Sequence, residues 1–340
     1  MRAMRHPLAA LALVACGPSG QGPPDTSSAC VEDTQCPAGQ RCAEGICVGG
    51  CGGNALDLTY VPPNLLLVLD RSCSMRDVLT GAATKWSAAV GAINSVLAMY
   101  GDEIRWGLTL FPDTMGDTCT QQAFPFPVAA SNAPGISTLL TNALAAADPL
   151  YPDGPCVTNI DTGLQQAATD PALDDAGRKS YLMLVTDGLQ AGCSTGGGDT
   201  GSENTIKQLH NARGVTTFVV GFGSGVDATE LSTLATLGGA PLSGATKYYQ
   251  ADTAAQLNQA FQQIADLVVS CDYKVDPPPP DPSQLYVWFQ QNELVPPGSG
   301  WTYDPATQTL TLHGMYCDRL KAHSVDHVDV IFGCPNPPIL

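Results

Sequence analysis

The sequence predicts an α/β fold, in which a doubly wound, mostly parallel sheet is accompanied by a small N-terminal disulfide-rich module and a small C-terminal β-rich module. Three observations lead to this fold class. Apolar runs alternate with segments of helical periodicity from Leu65 to about Val269, which is typical of a parallel sheet covered by helices on both faces. Cysteines crowd residues 30–47, and the Pro-rich stretch VDPPPPDP at 275–282 separates a tail of different pattern.

The central region begins with LLLVLD, residues 65–70, whose unbroken apolar run indicates a strand buried on both faces. Residues 86–101 carry apolar side chains at helical spacing, and Gly101 is a natural helix end. The elements that follow in chain order are a strand at 104–111, helices at 137–147 and 159–168, a strand at 180–188, a helix at 203–214, a strand at 215–223, a helix at 227–238, a short strand at 246–250 and a helix at 253–269.

The tail beyond the Pro-rich stretch contains three predicted strand regions, 284–295, 301–314 and 327–333, with a helix at 315–324 between the last two. The predicted domain organisation is a signal peptide at 1–15, a lipid-anchored flexible linker at 16–29, a Cys-rich module at 30–50, the α/β domain at 51–272, a Pro-rich linker at 273–283 and the β-rich module at 284–340.

The charge balance restricts the class of partner. The chain of 340 residues carries a formal net charge of −17, which repels phosphate backbones and argues against nucleic-acid binding. This charge suits divalent cations or basic partners. A surface adapted only for solubility is the alternative, and charge alone does not choose between them.

The N-terminus, MRAMRHPLAALALVAC, has the layout of a signal peptide, with Arg2 and Arg5 before a short apolar stretch. Its end, LVAC, resembles a bacterial lipobox, which implies cleavage before Cys16 and acylation of that residue; an ordinary signal peptide with an incidental cysteine is the alternative. Gly17 follows the cysteine rather than Asp, which favours the outer membrane or cell surface over the cytoplasmic membrane. If Cys16 is acylated, an even number of the 13 cysteines remains, and all of these can form disulfides.

The Cys-rich module holds Cys30, Cys36, Cys42 and Cys47. Their spacing is wider than that of paired zinc ligands, so a disulfide-stabilised module is the better interpretation in an exported chain. Four cysteines allow three pairings, which the sequence leaves open.

Two predicted strands end on aspartates, Asp70 and Asp187, and ligands of open parallel sheets bind beyond the carboxyl ends of strands. Ser72 and Ser74 follow the first aspartate, and Thr158 precedes a helix within CVTNIDTGLQQA. These segments resemble the metal-ion-dependent adhesion site of a von Willebrand factor A domain, with its Asp-x-Ser-x-Ser motif, distant threonine and distant aspartate. The resemblance covers about residues 56–271.

The resemblance implies a divalent cation, Mg²⁺ with Mn²⁺ or Ca²⁺ as alternatives. Ser72 and Ser74 would coordinate directly, Thr158 directly or through water, and Asp70 and Asp187 often through water. An acidic side chain of a protein partner would complete the coordination. A domain of this fold whose site has lost its function is the alternative.

The resemblance also bears on the remaining cysteines. Cys51 and Cys271 bracket the domain, whose two ends lie together in that fold, so it implies a Cys51–Cys271 disulfide. Cys73 stands where the family usually has glycine, and Cys193 follows the second aspartate on the same face, so we also expect Cys73–Cys193. The further expected pairs are Cys119–Cys156 and Cys317–Cys334.

The function expected from this reading is that of a lipid-anchored binding or adhesion protein of the cell envelope. A structural envelope scaffold is the alternative, and an enzyme is less favoured because no Ser-His-acid set is recognisable. Two weaker site predictions are a second cation site at Asp199 and Glu203, for which a flexible Gly-rich loop is the favoured alternative, and a zinc site at three histidines of the tail, which no Cys-His spacing supports. These histidines are His313, His323 and His327.

Overall fold

The computed structural model describes residues 30–32, 35, 40–43, 45–49, 54–80, 83–113, 119–154, 156–290, 293–322, 324–325 and 327–333. Several predicted features lie outside the described residues, namely the signal peptide at 1–15, the linker at 16–29 with Cys16, and Cys36, Cys51, His323 and Cys334.

Seventeen strands and seven helices are formed within the described ranges. The strands are β1 Gln40–Ala43, β2 Ile46–Gly49, β3 Asn54–Tyr60, β4 Asn64–Asp70, β5 Val78–Thr80, β6 Ala83–Thr84, β7 Arg105–Phe111, β8 Phe126–Ala129, β9 Ser180–Thr186, β10 Thr216–Phe222, β11 Tyr249–Ala251, β12 Asp272–Asp276, β13 Leu285–Phe289, β14 Glu293–Val295, β15 Trp301–Asp304, β16 Thr309–Leu312 and β17 Val328–Phe332. The helices are α1 Lys85–Tyr100, α2 Ala133–Asn142, α3 Ile160–Ala167, α4 Gly198–Arg213, α5 Ala228–Leu237, α6 Ala254–Val268 and α7 Gly314–Lys321. None of these helices combines the length and the apolarity that crossing a membrane requires.

The described residues divide into two compact units, one from residues 30–55 and 331–333 and the other Leu56–Val330. The described part of the first unit contains an antiparallel hairpin of β1 and β2, in which Cys42 and Cys47 are register partners. Cys30 is disulfide-bonded, and its backbone N–H donates to the carbonyl of Gly45 over 3.0 Å.

A six-stranded sheet in the order β11-β10-β9-β4-β7-β8 forms the centre of the second unit. Its strands pair in parallel except β8, which runs antiparallel to β7 at one edge. The predicted α/β fold with a mostly parallel sheet is therefore confirmed. Side chains of β4 alternate between two apolar clusters, Leu65, Leu67 and Leu69 on one face, Leu66 and Val68 on the other. This two-sided burial explains why LLLVLD is apolar at every position before its aspartate.

The helix predicted at 137–147 begins and ends earlier, at Ala133–Asn142. Pro134 lies in the first turn of α2, where its missing N–H costs no helical hydrogen bond. Residues 143–151 instead form successive turns, such as Ala145 N–H to Asn142 O at 3.0 Å. The predicted helix therefore lacked its first turn, which contains a proline.

A second sheet of seven strands, in the order β14-β13-β17-β3-β12-β16-β15, joins the tail to segments that flank the central domain. Strand β3 precedes β4, the first strand of the parallel sheet, and β12 follows α6. The two strands pair antiparallel, with Tyr60 opposite Tyr273. The linker predicted at 273–283 is wrong at its start, because residues up to Asp276 belong to β12. The other domain limits stay predictions.

The disulfide at the end of the central domain also differs from expectation. Cys271 pairs with Cys317, with 5.6 Å between their Cα atoms, so both Cys51–Cys271 and Cys317–Cys334 are wrong. The cause is the pairing of β12 with β16, in which Leu312 N–H donates to the Cys271 carbonyl over 3.0 Å. Helix α7 starts directly after β16 and carries Cys317 to this position.

Candidate metal centre

The candidate site lies where two neighbouring parallel strands end. Strand β4 ends on Asp70, and Asp187 directly follows β9, which pairs with β4 in parallel. Because carboxyl ends of parallel strands share one edge of the sheet, the two carboxylates meet there. Asp70 and Asp187 are almost fully buried, at 0% and 1% exposure.

Hydrogen bonds link these carboxylates through the Asp-x-Ser-x-Ser turn. The backbone N–H of Ser72 donates to Asp70 Oδ1 over 2.7 Å, and the Ser74 hydroxyl donates to Asp187 Oδ1 over 2.9 Å. The two serine Oγ atoms are 3.0 Å apart, so the Ser72 hydroxyl is left to donate to Ser74. On the far side of Asp70, the Thr186 hydroxyl donates to Oδ2 over 2.7 Å.

The donor set fits a small hard cation. Neighbouring oxygens in an octahedral Mg²⁺ shell are about 3 Å apart, since each lies about 2.1 Å from the ion. The oxygen pairs Ser72–Ser74 and Ser74–Asp187 already have this spacing, at 3.0 and 2.9 Å. Two carboxylates and several hydroxyls are also the oxygen ligands that such an ion prefers.

Thr158 approaches the same place from the segment before α3. Its backbone forms an antiparallel bridge with Ala191, through N–H···O bonds of 3.0 and 2.9 Å. A Cβ built on Gly188, the residue after Asp187, would stand 3.5 Å from Thr158 Oγ1. Thr158 therefore lies beside the second aspartate, as the resemblance implies, while its role as a ligand stays a prediction.

Comparison with known proteins identifies the family. Residues 64–263, more than half of the chain, match the family model of the von Willebrand factor type A domain. The chain belongs to the von Willebrand factor type A domain family. No curated protein sequence matches it.

Solved structures resemble the A domain at low identity. Proximal thread matrix protein 1 from the mussel byssus, with a zinc-occupied MIDAS motif, is 16% identical, covers 64% of this chain and 50% of its own, and has a TM-score of 0.44. The pilus adhesin SpaC from Lactobacillus rhamnosus GG in its open conformation is 15% identical, with coverages of 81% and 39% and a TM-score of 0.46. Manganese-loaded TRAP protein from Plasmodium vivax is 14% identical, with coverages of 70% and 87% and a TM-score of 0.45. This chain thus spans about half the length of the byssus protein.

Lys85 is a residue of the A-domain site that the sequence analysis missed. Its Nζ lies 2.6 Å from Asp187 Oδ2, and its side chain is only 11% exposed. Lys85 is the first residue of α1, where the positive end of the helix dipole disfavours a cation. A lysine at the first position of a long apolar helix is the sequence feature that could have indicated this residue.

Arg71 is a second missed residue, and it holds the turn in place. It is 4% exposed, and its Nε donates to the Pro112 carbonyl over 2.9 Å. Its Nη1 points to the carbonyls of Leu150 and Tyr151, at 3.3 and 3.4 Å. Arg71 thus connects the first aspartate of the site to two neighbouring loops.

The two disulfides around the site are paired differently from expectation. Cys73, between the two serines, pairs with Cys156, two residues before Thr158, with Cα atoms 4.8 Å apart. Cys119 pairs with Cys193, with Cα atoms 5.4 Å apart, so Cys73–Cys193 and Cys119–Cys156 are wrong. The resemblance placed Cys73 and Cys193 on one face of the domain, but which cysteines form each disulfide depends on the paths of the loops, and these carry no periodic pattern.

Asp70 holds its proton more tightly than an ordinary aspartate does, because its surroundings raise its pKa. Burial, followed by repulsion from Asp187, raises the pKa of Asp70 to about 7. The hydrogen bonds from Ser72 and Thr186 act in the opposite direction. A cation bound among these oxygens would favour the ionised carboxylate, so binding and deprotonation of Asp70 are linked.

The two weaker site predictions gain no support. Within the described ranges, no group of three or more His, Cys, Asp and Glu side chains is arranged to hold a metal ion. His313 contacts Thr302 Oγ1 and His327 contacts Asp329 Oδ1, each over 2.7 Å, while His323 lies outside the described residues. Asp199 lies in the first turn of α4, the helix that also carries Glu203.

Proposed function

We propose that this chain is a lipid-anchored cell-envelope protein whose A domain captures a protein partner through a divalent metal, Mg²⁺ in the first place and Mn²⁺ or Ca²⁺ as alternatives. The observation that carries the proposal is the hydrogen-bonded series from Asp70 to Asp187. Asp70 Oδ1 accepts from the Ser72 backbone N–H, and the Ser72 Oγ, Ser74 Oγ and Asp187 Oδ1 atoms follow at 3.0 and 2.9 Å from one another. This series brings hydroxyls and carboxylates from two strands to one sheet edge, and these are the oxygen ligands that a small divalent metal prefers. The role assigned is therefore binding.

Each residue has a distinct part in this function. Ser72 and Ser74 would hold the metal through neutral hydroxyls, with Thr158 completing the protein side, and Asp70 and Asp187 would orient them and offset charge. When bound, the metal supplies an incompletely neutralised positive charge that attracts a carboxylate of the partner. Neutral ligands matter here, because a site made of carboxylates alone would leave little attraction for an acidic side chain.

Exposed apolar side chains near the site support a protein partner. Leu189 follows Asp187 by two residues and is 50% exposed. Val78 is 63% exposed and adjoins Asp77, whose carboxylate lies 3.9 Å from Lys85 Nζ. A partner surface with an acidic side chain flanked by apolar ones would match this combination.

Partner capture is expected to require both the metal and the intact site. The immobilised full chain should retain partner protein from cell-envelope extract in Mg²⁺, release it in chelator and recover it when Mg²⁺ returns. Asp70→Ala should abolish this retention. Asp252→Ala is the matched control, because Asp252 is exposed and follows β11 at the same edge of the sheet, so it removes an equal charge. Equal retention in chelator would favour the scaffold alternative.

The anchor is part of the proposal and has its own prediction. The basic residues before LVAC support cleavage before Cys16 and acylation of that cysteine, with the protein held at the outer membrane or cell surface. A lipid anchor of more than one acyl chain is needed for stable attachment. Mass spectrometry of the mature N-terminus should show an acylated Cys16, and an unmodified Cys16 or cleavage elsewhere would contradict this.

A further inference from the structure

Lys85 occupies a position that is unfavourable for a lysine unless a nearby anion stabilises it. The residue is 8% exposed and begins α1, whose N-terminus carries partial positive charge. Burying an ammonium group and placing it at a helix N-terminus both cost free energy unless an anion offsets them. A leucine or methionine at this position would avoid both costs, so packing does not explain the lysine.

Two carboxylates compensate for this placement. Asp187 Oδ2 accepts from Lys85 Nζ over 2.6 Å, while the more distant Asp77 Oδ2 lies at 3.9 Å. The lysine side chain is confined from the other side, since a Cβ built on Gly223 would stand 3.0 Å from Lys85 Cε. The ammonium group is thus held against the one oxygen of Asp187 that Ser74 does not use.

The geometry points to a role for Lys85 as a counter-cation of the site, which neutralises the charge of Asp187 when no metal is bound. When a metal is bound, the Lys85 charge lowers the affinity of the site for the metal and leaves the metal more attractive to an acidic ligand. This inference rests on the metal-dependent capture proposed above. Asp187 is buried and would otherwise face Asp70 across the site without a positive charge. Once Asp70 is ionised, the two carboxylates and the Lys85 ammonium sum to one negative charge, so a divalent ion would keep a net positive charge.

The first consequence is that the natural fold does not depend on metal, whereas a variant without the lysine charge does. Lys85→Met leaves Asp187 buried without a cation, and removing one partner of a buried pair is strongly destabilising. The melting temperature of Lys85→Met in chelator should fall well below that of the natural chain. Saturating Mn²⁺ should recover most of the loss, because the ion replaces the missing charge.

The second consequence concerns affinity. Lys85→Met removes a positive charge within a few ångströms of the ligand oxygens, so Mn²⁺ should bind the folded variant at least about 10-fold more tightly than the natural chain. Calorimetry of Mn²⁺ binding measures this directly. Lys85→Arg keeps the charge and should leave affinity within a factor of a few. Lys207→Met on α4 is the matched control, because it removes an exposed lysine charge without touching the site.

The outcomes separate this inference from the proposed function. If the natural chain binds Mn²⁺ and Lys85→Met shows the same affinity and the same metal-induced rise in melting temperature, the counter-cation role is overturned and capture stands. If only Lys85→Met binds Mn²⁺, the counter-cation role is supported and the proposed function is overturned. If neither chain binds Mn²⁺, both are overturned.

A folding defect does not obscure the result. If the Lys85→Met variant is unfolded in chelator and folded in Mn²⁺, the result supports the inference, because the metal then replaces the missing lysine charge. If it stays unfolded at saturating Mn²⁺, Lys85→Gln takes its place, because the amide can still donate to Asp187 without a charge. Lys85→Gln should then show the tighter binding, and natural affinity in that variant, or failure to fold in Mn²⁺, overturns the role.

Discussion

Replacing Cys73 and Cys156 together by alanine is expected to lower the free energy of unfolding by about 4 kcal/mol and to weaken metal binding. The stability loss follows from the 83-residue separation of the two cysteines, because the unfolded chain without the bridge gains loop entropy. For a unit of this size, such a loss lowers the melting temperature by roughly 8–16 °C. Metal affinity should fall by about 10-fold, since the serine turn and the Thr158 segment are no longer held in register.

The Cys271–Cys317 bridge provides the control for this prediction. Its cysteines are 46 residues apart, and the logarithmic dependence on loop length gives a nearly equal loss of stability when both become alanine. Val61, which lies three residues before the start of β4, donates its N–H to the carbonyl of Asp272 over 2.9 Å. Cys271, the neighbour of Asp272, therefore lies near the beginning of β4, whereas Asp70 is at its end. Metal affinity should therefore remain unchanged. Equal weakening in both variants would show a global effect rather than alignment of the two site segments.

Asp70→Asn is expected to have opposite effects on stability and on binding. The neutral amide avoids the burial of a charge and removes the repulsion from Asp187, so the metal-free protein above pH 7 should gain about 1–3 kcal/mol in free energy of unfolding. Metal binding should weaken by about 10-fold to 100-fold, because the charge that orients the ligand groups is lost. Denaturant unfolding in chelator and calorimetry with Mn²⁺ measure the two quantities. A variant that is less stable in chelator and binds metal normally would contradict the assignment.

The pH dependence of the natural chain provides a second check on Asp70. Its folded pKa, about 7, lies above the ordinary value of 3.8, so the folded state holds the proton more tightly than the unfolded state. This stabilisation is fully present below about pH 4 and is lost as the pH rises to about 7. Asp70→Asn should remove that part of the slope, while Glu230, whose pKa burial also raises to about 7, contributes equally to both proteins. An unchanged slope in the variant would assign it to other groups.

The sequence predicted the parts of the structure that depend on local pattern. The apolar run before Asp70 and the similar run before Asp187 placed both carboxylates at strand ends, because a strand buried on both faces has to be apolar until it emerges. Ser72 and Ser74 lie two and four residues after Asp70, in the turn that follows the strand, so their proximity to Asp70 was also predictable. These features need no knowledge of distant contacts, and the structure brings Asp70, Ser72, Ser74 and Asp187 together.

What the sequence did not predict depends on contacts between distant segments. The position of Lys85 against Asp187 depends on how α1 packs on the sheet, over a separation of 102 residues. The partner of Cys73 depends on the path of the loop before Thr158. Strand β3 pairs with β12 more than two hundred residues later, and neither segment is long or distinctive enough to reveal its partner.

Strand β3 also determines how the protein would carry mechanical load. It lies between β17 and β12 in the seven-stranded sheet and leads within four residues into β4, the strand that ends at the site. Tension between the N-terminal side of the chain and a partner held at Asp70 would pass through this central strand, whose hydrogen bonds on both sides resist sliding together. Resistance to forced unfolding is governed by the unfolding rate. Strand β3 is therefore the element whose hydrogen bonds would set that rate when the chain is pulled from its N-terminal side.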